Sequence, residues 1–494
     1  MKRLFALFSV FCVFFALFLI TSCSNSKDAE NKQVTDSLAP VAEEINDGIT
    51  DYSLYEAPEV KDFEGYEFRI LETPDSNVFS FHKQVPEEEV GEIVNDAFIK
   101  RNLTISEKYN IKISSIYNND PNSVLKREIA AGGDICDIGF VHSSEVFGIA
   151  QTGGLIDFNA VNTLNLDMPW WDQRIIESLS IYNKIYTLTG DITTNDDVST
   201  FTILYNKKLY GDLGYDNPYE IVTKGLWTMD KMGEMIKGVS RDLDGDGIIN
   251  ENDQWGAASE SAAMYFFFFG SGMHYIKKTS DVYEFTLDDI KTQSILEKTF
   301  NLLTSEDCVY DLDGTIKDKS VSVYETLEKM FIEDRLLFNV RLVGDALHLR
   351  DMESSFGFLP FPKYDEIQEE YYSWVTWNTY SIVMPVTVID TEKSGLIMEA
   401  LAYESMYTIR EPFYGNLLDV KIARADEDTQ MLELILNSKA YDLDGVNSFT
   451  GIQSGLYNIM NAILVKREFN IASSWAAMNE KAVGQLDKFL QSFK

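Results

Sequence analysis

Between Glu67 and Val141 the chain switches between strand-like and helix-like periods four times, and this alternation limits the available folds more than any other feature. Glu67-Phe68-Arg69-Ile70-Leu71 reads as a strand. Val94, Phe98, Ile105 and Tyr109 then share one helical stripe over about 91–109. A strand at Ile111-Lys112-Ile113, a helix at about 123–131 and a strand at Asp137–Val141 follow. Strands alternating with helices predict βαβ units around a parallel sheet, and so an α/β fold. Further strands are expected at Phe201–Tyr205, Leu336–Val340 and Ser381–Met384. An extended run is expected at 356–362, where prolines push the preceding residues out of helix. The last hundred residues read as mostly helical, and no 20–50-residue repeat is visible.

The N-terminus has a different character. Lys2 and Arg3 precede an apolar run from Leu4 to Ile20, and small residues follow it, which describes a secretory signal over 1–22. Ile20-Thr21-Ser22-Cys23 resembles the lipobox of bacterial lipoproteins. That resemblance implies cleavage before Cys23, lipidation of its thiol and anchorage to the outer face of the plasma membrane. A plain signal peptide or a short membrane anchor is the alternative. Residues 23–52 are polar and small and read as a flexible tether. Cleavage would remove two positive charges and no acids, taking the net charge from -37 to -39. Such an acidic chain lacks the basic footprint that nucleic-acid binding requires. Of four cysteines, Cys136 and Cys308 lie in the body, where they could pair or stay isolated thiols.

One motif carries metal chemistry. Asp242-Leu243-Asp244-Gly245-Asp246-Gly247-Ile248-Ile249-Asn250-Glu251-Asn252-Asp253 follows the calcium-loop spacing at positions 1, 3, 5, 6 and 12. Asp242, Asp244 and Asp246 offer hard oxygens, Gly247 the sharp turn, Ile248 a carbonyl and Asn250 a water-mediated contact. Asp253 at position 12 is one methylene shorter than the usual Glu, and a solvated acidic turn is the competing account. A single loop suits a structural Ca²⁺ clip better than a sensor. The related Asp311 and Asp442 strings carry Ile316 and Asn447 where the glycine belongs.

Several strings in order resemble one family. They are Asn95-Asp96-Ala97, Arg101-Asn102, Glu107–Asn110, Met168–Asp172, Leu204–Lys207, Gly225–Thr228, the Asp242 loop with Asp253–Gly256, Phe356–Tyr364 and Glu411–Tyr414. With the lipobox they resemble the extracellular solute-binding lipoproteins of bacterial ABC importers, in the carbohydrate-type branch related to maltose-binding protein. The resemblance spans about 65–445. It implies a two-lobed periplasmic-binding-protein-like fold with a hinge and an interlobe cleft. Lobe 1 is expected over 53–195 plus 358–410, and lobe 2 over 196–357 plus 411–494. It also implies a monomer that delivers a small polar solute, a sugar first, to a separate permease.

Candidate ligand contacts come from chemistry and position. Indole faces suit the C–H faces of sugars, which singles out Trp377, Trp374 and Trp171 against a packing role for each. Arg341 at the end of its strand and Asp191 after Leu188-Thr189-Gly190 offer polar contacts. His142 follows the Asp137–Val141 strand at its carboxyl end, where open α/β sheets bind ligands. Trp227 before Thr228 reads instead as a hydrophobic staple with Met232. No hydrolase, zinc-protease, dinucleotide or P-loop string occurs. A secreted glycan-processing enzyme stays open, because acid pairs can be distant in sequence. A ligand-sensing or adhesion module is the other alternative.

Overall fold

A computed structural model describes residues 55–74, 82–260, 262–310, 316, 320–419, 426–443 and 452–494. The signal and tether readings, Cys23 and the Asp311 string lie outside these residues. In chain order the strands are Tyr66–Glu72 (β1), Ile111–Tyr117 (β2), Ile138–His142 (β3), Phe201–Asn206 (β4), Trp255–Ser259 (β5), Ile276–Thr279 (β6), Val282–Phe285 (β7), Cys308–Tyr310 (β8), Leu336–Leu342 (β9), Phe356–Leu359 (β10), Ser373–Trp374 (β11), Tyr380–Val383 (β12) and Lys439–Ala440 (β13).

The first sheet runs β12-β3-β1-β2. Its three early strands pair in parallel through the helices Ile93–Tyr109 and Pro121–Ala131, as the alternation predicts, and β12 joins antiparallel. The Ile93–Tyr109 helix begins where the Glu92 carboxylate caps the amides of Val94 and Asn95, and it ends at Asn110 with φ 48. Its buried stripe contains Arg101 beside Phe98 and Ile105. Arg101 is buried because its guanidinium donates to the Ile192 and Gln84 carbonyls and to Asn102 Oδ1.

The second sheet runs β10-β4-β9-β5-β8. Every residue of β9 is buried, as a central strand covered on both faces requires. The strand runs two residues further than expected, to Leu342, and Arg341 is its penultimate residue. Phe266–Phe269 form a fully buried helix over Ala263–Gly270 that packs on this sheet. The expected lobe boundary at 357/358 falls inside β10, whose whole length pairs with β4. Both sheets are mixed rather than all parallel, since β4, β10 and β12 each enter against their neighbours.

Three segments run beside one another between the two sheets. The backbone of 195–200 touches 373–379 through Thr376 N to Ser199 O at 3.0 Å and Thr379 Oγ1 to Asn195 O at 3.1 Å. β11 pairs in parallel with β13. Cys136 and Cys308 are both buried, and no disulfide joins them to each other. Among the described residues no helix is long and apolar enough to cross a membrane.

Candidate ligand cavity and acidic loop

The segment 373–379 builds the largest part of the candidate site. It is tied to the first sheet by Ser143 N, which donates to Thr379 O at 2.9 Å, and to the second by the Thr200–Val375 bridge. Trp374 to Asn378 is therefore held along the carboxyl end of β3 on one side. On the other side lie the carboxyl ends of β5 and β9, because Phe201 opens β4 opposite Leu342 and Glu260 directly follows β5. A cavity of about 430 Å³ lies here, lined among others by Phe201, Glu260, Tyr324, Trp377, Asn378 and Tyr457. That volume falls in the ordinary range for small-molecule sites.

Trp377 is half-buried, and Trp374 is not exposed at all. The Trp374 ring lies parallel to Phe201 (5.6 Å, 4°) and to Phe269 (5.4 Å, 14°). Trp374 is thus part of an aromatic stack beneath the cavity, not an open face for a sugar. Arg341 is also behind the wall. Its guanidinium carbon sits 4.0 Å from the centre of the Tyr324 ring, and Nη2 donates to the Tyr324 carbonyl at 2.8 Å. Burial raises the Tyr324 phenol far above its ordinary value and also raises Asp345 beside it. Arg341 therefore supports an aromatic wall rather than presenting itself to a ligand. His142 reaches the edge of the site through Asn378, with Nδ1 2.5 Å from Ser144 Oγ. Burial lowers its pKa, which favours the neutral ring.

Two sequence candidates lie elsewhere. Trp171 is in the core, and its indole N–H donates to Glu399 Oε2 at 2.9 Å while Trp170 donates to Oε1 at 3.1 Å. Paired burial of both indoles against one carboxylate explains the Trp-Trp string better than ligand stacking. Burial pushes the Glu399 carboxyl up to about 7. Asp191 and Trp171 both line a second cavity of about 240 Å³, together with Asp172, Asp197, Arg410 and Lys439. Burial raises the Asp191 carboxyl to about 6, opposed by Arg410 at 3.9 Å.

Phe201, Glu260, Tyr324 and Tyr457 were not predicted. They come from four distant elements, and only their tertiary meeting marks them. Tyr324 sits at the second position of the helix Val323–Ile332, where the sequence signals a capping box, not a site.

The Asp242 loop is exposed, and the Asp242, Asp244 and Asp246 carboxylates lie within 4.8 Å of one another. Gly247 sits at φ 81, as the turn requires. Asp242 accepts the amides of Gly247 at 2.8 Å and Gly245 at 2.6 Å, which holds its carboxyl below the usual range. Asp253 is buried and accepts Leu243 N and Asn250 N, both at 2.8 Å. It braces the loop from inside instead of joining the other three. Asn250 Oδ1 accepts Asn252 N, and the Asn250 carbonyl accepts the Trp255 indole at 2.9 Å, which fastens the loop to β5. Ile248 is exposed, and its carbonyl accepts Asn250 Nδ2 at 3.2 Å.

No protein-family model matches the chain, and no curated protein matches it. Solved structures do. An ABC substrate-binding protein from Listeria monocytogenes in complex with cycloalternan shares 12% identity, with 86% of this chain and 99% of that one covered and a TM-score of 0.53. The maltose/maltodextrin-binding domain MalE from Bdellovibrio bacteriovorus bound to maltotriose gives 14%, 85%, 100% and 0.52. The GacH receptor of Streptomyces glaucescens, solved unliganded and with acarbose, gives 12%, 87%, 100% and 0.54. The chain therefore has the two-lobed α/β fold of these binding proteins, nearly over their full lengths.

Proposed function

We propose that this chain is the extracytoplasmic binding subunit of an ABC importer, capturing a carbohydrate in the Trp377 cavity and handing it to a separate permease. The observation that carries this reading is the cavity itself. It joins a half-buried indole and phenol rings to a few polar edges, Glu260, Asn378 and Thr376, at the carboxyl ends of strands from both sheets. Flat apolar faces orient a sugar, and edge groups select its hydroxyls. The solved proteins that share the fold hold cycloalternan, maltotriose and acarbose. Contacts from both lobes favour the closed state, so binding drives closure.

Binding fits this site better than hydrolysis. Glu260 is the single carboxylate lining the cavity among the described residues, whereas glycoside hydrolysis ordinarily uses two. Cys23 supplies the lipid anchor, and Cys23→Ala should release the protein from the membrane fraction. The Asp242 loop holds Ca²⁺ as a structural clip. Asp242, Asp244, Asp246 and the Ile248 carbonyl are the ligands, Asn250 acts through water and Asp253 braces the turn.

A thermal-shift screen with maltotriose, maltotetraose, cellobiose and a tripeptide tests the reading, because a specific ligand raises apparent stability. At least one sugar should raise Tm without being turned over. A response to the peptide alone, or hydrolysis of the sugar, would overturn it.

A further inference from the structure

Lys439 gathers three carboxylates from two parts of the chain. Its Nζ lies 2.9 Å from Asp197 Oδ1 and 3.2 Å from Asp172 Oδ2, and it also bonds Asp196 Oδ2. Asp172 caps the helix Gln173–Leu179 through Arg174 N, whereas Asp196 and Asp197 sit on the segment that leads into β4. Asp172 and Asp196 are further fixed by the Tyr441 hydroxyl, and Asp196 Oδ1 accepts Thr189 Oγ1 at 2.6 Å. Asp191, Arg410 and Tyr414 complete the charged and titratable surroundings.

The backbone of Lys439 points the consequence elsewhere. Ser373 pairs with Lys439 and Trp374 with Ala440. Ser373 N donates to Ser438 O at 2.9 Å, and Val375 N donates to Ala440 O at 3.1 Å. The strand that delivers Trp374 and Trp377 to the ligand cavity is therefore held by the strand that carries the lysine. β11 and β13 are only two residues each, so their backbone pairing alone is a weak clamp. A buried ion cluster stabilises no more than apolar packing of equal volume. What it adds is selection of one arrangement, since any other leaves charges unpaired.

We propose that Lys439 is a positioning residue of the ligand cavity. By binding Asp172, Asp196 and Asp197 it locks β13 to the segment before β4, and β13 fixes the 374–378 wall. Its meaning for binding rests on the carbohydrate reading, but the positional link is measurable without ligand.

The test is the ¹H–¹⁵N indole spectrum of the full ligand-free protein, whose seven tryptophans each give one resonance. Lys439→Met should move the Trp374 and Trp377 signals by more than a linewidth and leave those of Trp227 and Trp475 in place. Lys439→Arg, which keeps the charge, should restore both toward wild type. Should Lys439→Met fail to fold, Asp197→Asn removes one partner and should move the same two signals. A folded variant in which Trp374 and Trp377 stay fixed, or in which all seven signals move alike, would overturn the proposal. Because no sugar is added, failure of every sugar to bind would sink the carbohydrate reading alone.

Discussion

Trp374 and Trp377 meet edge to face, with ring centroids 4.8 Å apart at 62°. Three residues apart in sequence, they have opposite duties. Trp374 fills the floor between Phe201 and Phe269, whereas Trp377 is the half-buried indole of the cavity wall. Trp374→Ala should therefore cost about 3–5 kcal/mol of stability, as expected of a large buried aromatic. Trp377→Ala should lower stability far less. Chemical unfolding of both variants checks this, and equal losses would refute the division of roles.

Glu399 gives a pH prediction. Its carboxyl is raised from 4.5 to about 7 by burial, so the folded state holds the proton more tightly than the unfolded state. The resulting stability is fully present below about pH 4.5 and is lost as pH rises through about 7. The change is on the order of 3 kcal/mol. Glu399→Gln should remove this slope. It should also lose one of the two indole bonds, since an amide oxygen faces one N–H while the NH₂ opposes the other. Urea unfolding of wild type and variant at pH 5 and pH 8 reads both effects.

Gly190 has no room for a side chain. Its φ is 151, and a Cβ there would lie 2.1 Å from the Trp170 carbonyl oxygen, an atom of backbone that cannot swing aside. The close approach aligns Gly190 with Trp171 and lets Asp191 N donate to Trp170 O at 3.0 Å. Gly190→Ala should destabilise by roughly 3 kcal/mol or more, through steric strain rather than lost contacts. A thermal melt within a degree or two of wild type would contradict this.

The proposal that the Asp242 loop is a calcium clip predicts a metal-dependent melt. Adding millimolar Ca²⁺ to chelator-treated protein should raise Tm, and Asp246→Ala should abolish the rise. Asp253→Ala should lower Tm even without calcium, because Leu243 N and Asn250 N lose their acceptor. No response of wild type to Ca²⁺ would reduce the loop to an acidic turn.

Much of the fold was legible because period is a local property. The strand and helix runs from Glu67 to Val141 appear where the apolar spacing places them, with the first helix starting at Ile93 rather than Gly91. The Thr228 cap and the burial of Trp227 beside Met232 were equally local. The site was legible only in part. Trp377 and the carboxyl-end position of His142 could be argued from residue type and strand order. Whether an indole faces a cavity or a core depends on partners hundreds of residues away. Trp171 finds Glu399 and Trp374 finds Phe201 and Phe269, and no spacing rule announces either pairing. Asp191 lies beside Trp171 and away from Trp374 and Trp377 for a related reason. Its segment turns toward Arg410 and Lys439, whose approach is set by tertiary packing.

The most direct test of the central claim is calorimetric titration of the sugar that gives the largest thermal shift into wild type and Trp377→Ala. Binding to wild type should be saturable and one-to-one. The variant should lose affinity by about 30-fold or more, equivalent to about 2 kcal/mol, with the fold intact. Unchanged affinity in a folded Trp377→Ala protein would contradict the assignment of this cavity as the carbohydrate site.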